Sequence, residues 1–444
     1  MVEIDLGAKK IIDRLYSKGF EGYVVGGCVR DMLLKKTPKD WDITTDAQPE
    51  QIKLLFTDTI DTGLKHGTVT VVINGNNYEI TTYRIDGIYS DNRRPDKVIY
   101  TTSLENDLSR RDFTINAMAY NIKQGLVDPF NGVTDLKNKN IKAVGDPNKR
   151  LQEDALRMMR AVRFSAQLGF SIEKETEQGI YVNSNLIKNI SMERVRDELV
   201  KILTSDNPVF VSKLSILGLM KNIIPEINRC IGFNQRNPHH FKDVFEHTMI
   251  VLENTSNNKI IRLAALLHDV AKPVTFTLDK RGIGHFYGHH IEGKLITERI
   301  LKRLKFDNDT IEKVSILVRE HMSRFSKFNE KNVKRFINRV GVTNLEDLYE
   351  LQIADIKGSS PPHDFIKVME LRNRIERILN KKEPLTIKDL DIDGYDLIDA
   401  GIKPGAIMGQ ILNSLLDKVL ENPELNKKEQ LILVVKKEVD TQLK

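Results

Sequence analysis

The stretch that most constrains this chain is residues 24–45, VVGGCVRDMLLKKTPKDWDITT, where an apolar run stops at Gly26 and Gly27 and a Lys/Pro turn leads to Asp40 and Asp42. Side chains two apart in a strand leave the same face. The spacing therefore predicts two carboxylates projecting together at the start of an apolar strand. They repel each other unless a cation lies between them, which points to a divalent metal. The glycine pair, about fifteen residues earlier, lets the backbone approach a phosphate. A phosphate cradle beside a metal pair is what phosphoryl or nucleotidyl transfer needs. An ordinary Asp-rich turn is the competing reading of the same residues.

The flanking sequence supplies context. Residues 7–19 and 48–56 predict short helices, and β-branched pieces run to about residue 100. Together they predict a mixed sheet of roughly five strands with helices on one side. Glu79, in the alternating run YEITTY, is either a third carboxylate from a neighbouring strand or a solvated strand residue. The polar stretch 85–98 predicts a loop near the site. Residues 104–120, LENDLSRRDFTINAMAY, have helix-like spacing, and VDPFNGVTDLKNKNIKAVGDP after them predicts a hairpin-like closing unit with Asp128 placed to pin its turn. Arg110 and Arg111 suit phosphate contacts and Asn116 suits a sugar hydroxyl, against the plainer reading of a capped helix with a surface ion pair.

Strand signals nearly vanish beyond about residue 150. In LQEDALRMMRAVRF, Asp154 and Arg157 share a helical face with Glu153 at its edge. Such a set can read a nucleobase edge, or can simply be an intrahelical salt bridge. The helix 191–203 reads as structural, with Glu193, Arg196 and Glu198 bracing its predecessor. A second chemical signal is the ordered series His247, His268-Asp269, His289-His290, His321 and Asp355. Imidazoles and carboxylates in that order point to a metal centre, binuclear if all contribute; inert remnant ligand positions are the alternative.

Composition sets outer limits. At 444 residues, roughly two to four domains are expected. The chain carries 68 basic and 62 acidic residues, a net charge of +6, which tilts mildly toward a polyanionic partner. Cys28 and Cys230 offer neither a disulfide framework nor a metal site, which suits a reducing compartment. The start MVEIDLGAKKIIDRL has no long apolar segment, so a cytoplasmic protein with no membrane association is expected.

Taken together, GGCVRDMLL…KDWDITT, KHGTVTV, EITTYRIDG, RRDFTINAMAY, DPFNGVTDL, EDALRMMRAVRF and ERVRDELVKIL resemble the bacterial class II tRNA nucleotidyltransferases and their relatives the bacterial poly(A) polymerases. The helical region resembles HD-superfamily phosphohydrolase domains. The resemblance implies an α+β chain with a DNA-polymerase-beta-like nucleotidyltransferase head at 1–146. An elongated all-helical part follows: a neck at 147–205, an HD-type body at 206–360 and a tRNA-binding tail at 361–444. It implies two Mg²⁺ ions on Asp40 and Asp42, with Glu79 as a third acid. Gly26, Gly27 and Arg30 would contact phosphates, and Arg111, Asp112 and Asn116 the nucleotide. Glu153, Asp154 and Arg157 would read CTP or ATP, with Arg160 and Arg163 also at the nucleotide, and the loop at 85–98 would switch C to A selection. A second divalent metal would sit on His247, His268, Asp269, His289, His321 and Asp355, with phosphohydrolysis as a further activity. The partners implied are the tRNA 3′ end and its acceptor/T-arm, CTP and ATP, with no obligate protein partner. Partial A-adding or CC-adding activity and poly(A) synthesis are the alternatives.

Overall fold

A computed structural model describes residues 3–64, 67–87, 97–236, 242–323 and 329–442. The chain divides into two compact units, Met1–Asn228 with Arg303–Phe306, and Arg229–Lys302 with Asp307–Lys444.

The first unit is built on strands β1 (Tyr23–Val25), β2 (Asp42–Thr45), β3 (Thr59–Gly63), β4 (Thr68–Ile73) and β5 (Asn76–Thr82), followed by the short ribbon β6 (Arg84–Asp86) and β7 (Val98–Tyr100), then β8 (Ala119–Asn121) and β9 (Gly125–Val127). The main sheet has seven strands in the order β3-β4-β5-β2-β1-β8-β9. Only β2 and β5 pair in parallel; the other neighbours are antiparallel. The sheet is thus mixed, as expected, but two strands wider. The added pair is β8–β9, and β8 begins within the run 104–120 that has helix-like spacing: Ala119 and Asn121 are buried while Tyr120 between them is half-buried, a period of two too short to stand out.

Both faces of the centre of the sheet are covered, not one. Helices α1 (Leu6–Tyr16), α2 (Gly27–Leu33) and α3 (Pro49–Leu55) pack on one face, where Ile11, Leu15, Val29, Met32 and Ile52 meet Val24, Ile43 and Ile80. Tyr23 and Val25 point the other way, toward Tyr83, Ala119 and Leu108 of α4 (Leu104–Ser109). An uninterrupted Tyr-Val-Val run is the signature of a strand buried on both sides. Local signals start and stop these helices. Gln48 and Gln51 form a capping box ahead of Pro49, and Asp128 accepts from the amides of Gly132 and Val133 to begin α5 (Gly132–Lys137).

Helices α6 (Pro147–Glu153), α7 (Leu156–Leu168), α8 (Lys174–Asn183) and α9 (Met192–Leu203) then follow. The expected continuous helix through 153–157 is broken, because Asp154 is extended at φ −136°, ψ 103°. The Asp154 carboxylate instead accepts the amide of Leu156, starting α7 afresh. Gly169, at φ +69°, ends α7 in the left-handed conformation that glycine adopts without strain.

The second unit is almost entirely helical; its described strands are Thr277–Leu278 and Gly284–His285, a hairpin. Among the described residues no helix is long and apolar enough to cross a membrane.

Candidate active site and histidine cluster

Asp42 opens β2 and lies directly opposite Glu79 of β5 in the parallel register. That register brings a third carboxylate to the edge of the aspartate pair. Asp40 sits in a bend before the strand rather than within it, so the two aspartates are not held by strand periodicity alone. Burial pushes the Asp42 carboxyl up; Arg111 opposes this, and the charges of Glu79 and Asp40 add to it. A group of hard oxygens that raise one another's proton affinity fits a divalent cation, which would relieve the repulsion.

Gly26 joins β1 to α2 at φ +81°, where a Cβ would lie 2.9 Å from Nη1 of Arg111. The guanidinium therefore occupies the space that the missing side chain leaves, between the glycine turn and Asp42. Beneath it lies a carboxylate that the sequence did not single out. Asp107 is fully buried and accepts from Arg110 Nη2 at 2.7 Å and Thr44 Oγ1 at 3.1 Å, with Arg111 Nη2 3.6 Å away. Its i,i+3 and i,i+4 spacing to the two arginines was the available signal.

A second chain of contacts runs from α2 to α7. Arg30 Nη1 donates to Asn116 Oδ1 at 2.9 Å, Asn116 Nδ2 to Asp112 Oδ1 at 3.3 Å, and Arg160 Nε to Asp112 Oδ2 at 2.8 Å. Arg30, Arg160 and Arg163 lie over the ring of Phe164 at 5.3, 5.5 and 4.3 Å, and Phe164 meets Phe113 edge-on. Arg163 is anchored on buried Glu198 of α9 at 3.1 Å. Glu198 thus braces α7 as expected; Arg196 turns instead to Asp197 and the carbonyl of Lys305.

Burial would raise the Asp112 carboxyl, but Arg160 outweighs it and holds the group down to about 2. A depressed carboxylate adds stability above its unfolded pKa of about 3.9 and loses it as pH falls toward the folded value. Between pH 4 and about 2, wild type is expected to lose about 2 kcal/mol more than Asp112→Asn. Urea unfolding at stepped pH measures this; parallel stability curves for the two proteins would refute it.

Glu153 and Arg157 face each other as an ion pair at 2.8 Å, with Arg150 at 2.6 Å on the same oxygen. Arg157 also donates to the carbonyls of Arg150 and Arg110, while Asp154 turns to Arg194 at 3.2 Å. Of the expected base-reading set, Glu153 and Arg157 are therefore paired with each other, and Asp154 is paired with Arg194. Of the loop expected at 85–98, residues 85–86 and 98 belong instead to the β6–β7 ribbon, and residues 88–96 lie outside the described ones, as do Lys65 and His66 of KHGTVTV.

In the second unit, His247, His268, Asp269, His289, His321 and Asp355 come from five helices or their ends and converge. Each imidazole turns Nδ1 to a main-chain carbonyl: His247 to Gly358 at 3.1 Å, His268 to Ala265 at 2.8 Å, His289 to Phe286 at 2.8 Å and His321 to Val318 at 2.7 Å. That fixes the proton on Nδ1 and directs the Nε2 lone pairs inward. The Nε2 atoms of His247 and His268 are 3.2 Å apart, and those of His289 and His321 3.3 Å. Asp355 faces His247 at 3.0 Å, and Asp269 reaches both pairs, Oδ2 to His268 at 3.2 Å and Oδ1 to His289 at 3.5 Å. Two groups of potential ligands result: His247, His268 and Asp355, and Asp269, His289 and His321. The adjacent His290 takes no part in either group. Burial lowers His321 well below the usual imidazole range, while at His268 the charge of Asp269 outweighs burial and raises it. Lone pairs facing at van der Waals distance, bridged by a carboxylate, fit a pair of divalent ions.

A sheet presenting crowded carboxylates next to a glycine turn and a buried arginine defines a nucleotidyltransferase. Residues 22–142 match the Poly A polymerase head domain, 169–231 the probable RNA and SrmB-binding site of polymerase A, and 290–435 the putative tRNA nucleotidyltransferase domain 2. The chain is 36% identical to the CCA-adding enzyme of Lactobacillus helveticus over 95% of its own length and 94% of that enzyme. It is 37% identical to the CCA-adding enzyme of Ligilactobacillus salivarius, covering 97% and 96%. The Bacillus stearothermophilus CCA-adding enzyme, solved in complex with CTP, superposes with a TM-score of 0.71 at 27% identity, covering 98% of this chain and 97% of that one. The Thermotoga maritima CCA-adding enzyme, solved with tRNA_CCA, shares the fold at TM-score 0.58 and 21% identity, covering 99% and 97%. The chain belongs to the CCA-adding enzyme family, whose nucleotidyltransferase chemistry depends on a divalent metal.

Proposed function

We propose that the chain completes the CCA 3′ terminus of tRNA from CTP and ATP, with Asp40 and Asp42 holding Mg²⁺ and Glu79 flanking them. The observation that carries this reading is the pairing of Asp42 with Glu79 in register, beside Arg111 and the Gly26 turn. Bound there, the metal supplies charge neutralisation at the triphosphate and acidity at the attacking hydroxyl. The 3′-hydroxyl oxygen of the tRNA attacks the α-phosphorus, the bond to the bridging oxygen breaks, and pyrophosphate leaves. Gly26, Gly27, Arg30 and Arg111 hold the phosphates, and Asp112 and Asn116 orient the ribose. Arg160 and Arg163, gathered on Phe164, keep positive potential over the nucleotide. Asp154 exchanges Arg194, and Arg157 the carbonyls of Arg150 and Arg110, for the edge of the incoming base, with Glu153 keeping its ion pair to Arg157. The parts divide as head, 1–146; neck, 147–205; body, 206–360; and tail, 361–444, the last lying along tRNA. The tRNA substrate and two buried cysteines outside any disulfide suit the cytoplasm.

The test is a product ladder. tRNA transcripts ending at the discriminator base, at C and at CC are incubated with Mg²⁺ and CTP, ATP or both. Full CCA from the shortest transcript, stopping there, is expected. Extension by only CC, by only A, or by a long A tract would replace the reading with a partial enzyme or a poly(A) polymerase.

A second reading stands beside the first. We propose that the histidine cluster holds two divalent ions and hydrolyses phosphate esters, because its Nε2 atoms converge with their tautomers fixed. Metals there would act as Lewis acids toward a phosphate oxygen and water.

A further inference from the structure

In LRNRIERILNKK, Leu371, Ile375 and Ile378 form the buried stripe of the helix Ile366–Asn380. Arg374, Arg377 and Lys381 fall at i, i+3 and i+7, a second stripe beside the first. With a rise of about 1.5 Å per residue they span about 10 Å of the helix. Facing them is the start of the helix Glu330–Val340, and between the two lies a cavity of about 300 Å³ lined by Glu330, Val333, Arg374, Arg377, Ile378 and Lys381. Val333 and Ile378 are buried and close its floor. The volume is at the lower end of the range for small-ligand sites.

The wall of this cavity carries three cations against one carboxylate. Glu330 is already engaged: it accepts from Lys381 Nζ at 2.7 Å and lies 3.7 Å from Lys334 Nζ. Lys334 is 3% exposed, donates to the carbonyl of Leu420 at 3.3 Å and pairs with Glu383, so a further ammonium is fixed behind the wall. The bond from Lys381 holds the Glu330 carboxyl below its ordinary value, so at neutral pH it is an anion competing for that cation. Arg377 has no carboxylate partner among the described residues. The carbonyl end of the helix offsets only about half a charge. Positive charge is therefore in excess, and it is gathered in a concave site.

Cations converging on a concave wall suit a small ligand whose negative charges are close together. A nucleic-acid backbone carries one charge per nucleotide along an extended strand. A diphosphate or triphosphate places two or more within the length of the stripe. We propose that this cavity binds a free small molecule bearing two or three linked phosphates, ion-paired to Arg374, Arg377 and Lys381. On binding, Lys381 turns from Glu330 to the ligand, and Lys334 keeps Glu330 in place. The site uses none of the residues assigned to nucleotidyl transfer or to the histidine cluster.

The test is isothermal titration of the full chain with sodium pyrophosphate in EDTA, which silences metal-assisted binding at the head and at the histidine cluster. Dimethyl phosphate is the probe for a backbone phosphodiester. Wild type is expected to bind pyrophosphate, more weakly as KCl is raised, and to give no heat with dimethyl phosphate. Arg377→Ala is expected to weaken pyrophosphate binding about tenfold, the scale of one hydrogen bond to a charged group. Glu330→Gln, which frees Lys381, is expected to strengthen it by a similar factor. Both side chains are exposed, so both variants are expected to fold, checked by melting temperature. No heat from pyrophosphate in wild type, or equal affinity in all three proteins, would overturn the proposal. Dimethyl phosphate binding as tightly as pyrophosphate, and lost in Arg377→Ala, would give the cations to an RNA backbone and overturn it as well.

Discussion

Asp42→Asn is expected to lower kcat for CMP addition at least about 10³-fold, since metal stabilisation of transition-state charge is worth several kcal/mol. The substitution keeps the shape of the side chain and removes one negative charge from a crowded group. In the folded protein the Asp42 carboxyl is raised, by burial and by Glu79 and Asp40 against the pull of Arg111. A raised carboxyl costs stability once it is ionised, at pH values above its folded pKa. The variant is therefore expected to be as stable as wild type or more so in EDTA at neutral pH, even as activity disappears. Wild type should gain melting temperature when Mg²⁺ is added, and the variant should gain less. Affinity for tRNA, measured by filter binding, should not change, because contacts along the RNA do not depend on one carboxylate. Activity within tenfold of wild type would remove Asp42 from the metal site; a collapse in melting temperature would make its role structural.

The parts of this site that the sequence displays are those set by short spacing. Gly26 and Gly27 before α2 and the aspartate pair before an apolar run are local patterns, and so is an adjacent His-Asp after an apolar helix. What sequence does not display is register. That Glu79 stands opposite Asp42 depends on a parallel pairing between β2 and β5, which brings distant segments together and is fixed by burial of Ile43 and Ile80 on the far side. The break at Asp154 was hidden because Asp154 reads equally as a helical acid and as the cap of the next helix. The wider sheet was hidden because three-residue strands carry too little periodicity to outweigh a helix-like pattern. His289 and His290 are alike in sequence; only the start of the helix His289–Arg303 decides which ring turns inward.

Asp107→Ala is expected to destabilise the first unit by about 3–5 kcal/mol, the usual result of removing one member of a buried ion pair. The carboxylate is fully buried and held low, with the charges of Arg110 and Arg111 outweighing burial. It ties three parts of the site together. Its oxygens receive Thr44, two residues along β2 from Asp42, the amide of Arg84 at the foot of the β6–β7 ribbon, and the Arg110 guanidinium. Without it, Arg111 is left desolvated with its main counter-charge gone, and its buried Nε already lacks a partner. The expected fall in melting temperature is about 10 °C for a unit of this size. Activity should fall as well, through a higher KM for the nucleotide, as Arg111 leaves its place beside Gly26. The charge argument separates from packing in the double variant Asp107→Asn/Arg111→Met. Removing both charges should restore much of the stability, because an uncompensated buried charge costs more than the absent pair. Nucleotide affinity should stay weak, since the guanidinium itself is missing. A double variant no more stable than Asp107→Asn alone would show that Asp107 holds the fold through Thr44 and Arg84, and that Arg111 is positioned by other contacts.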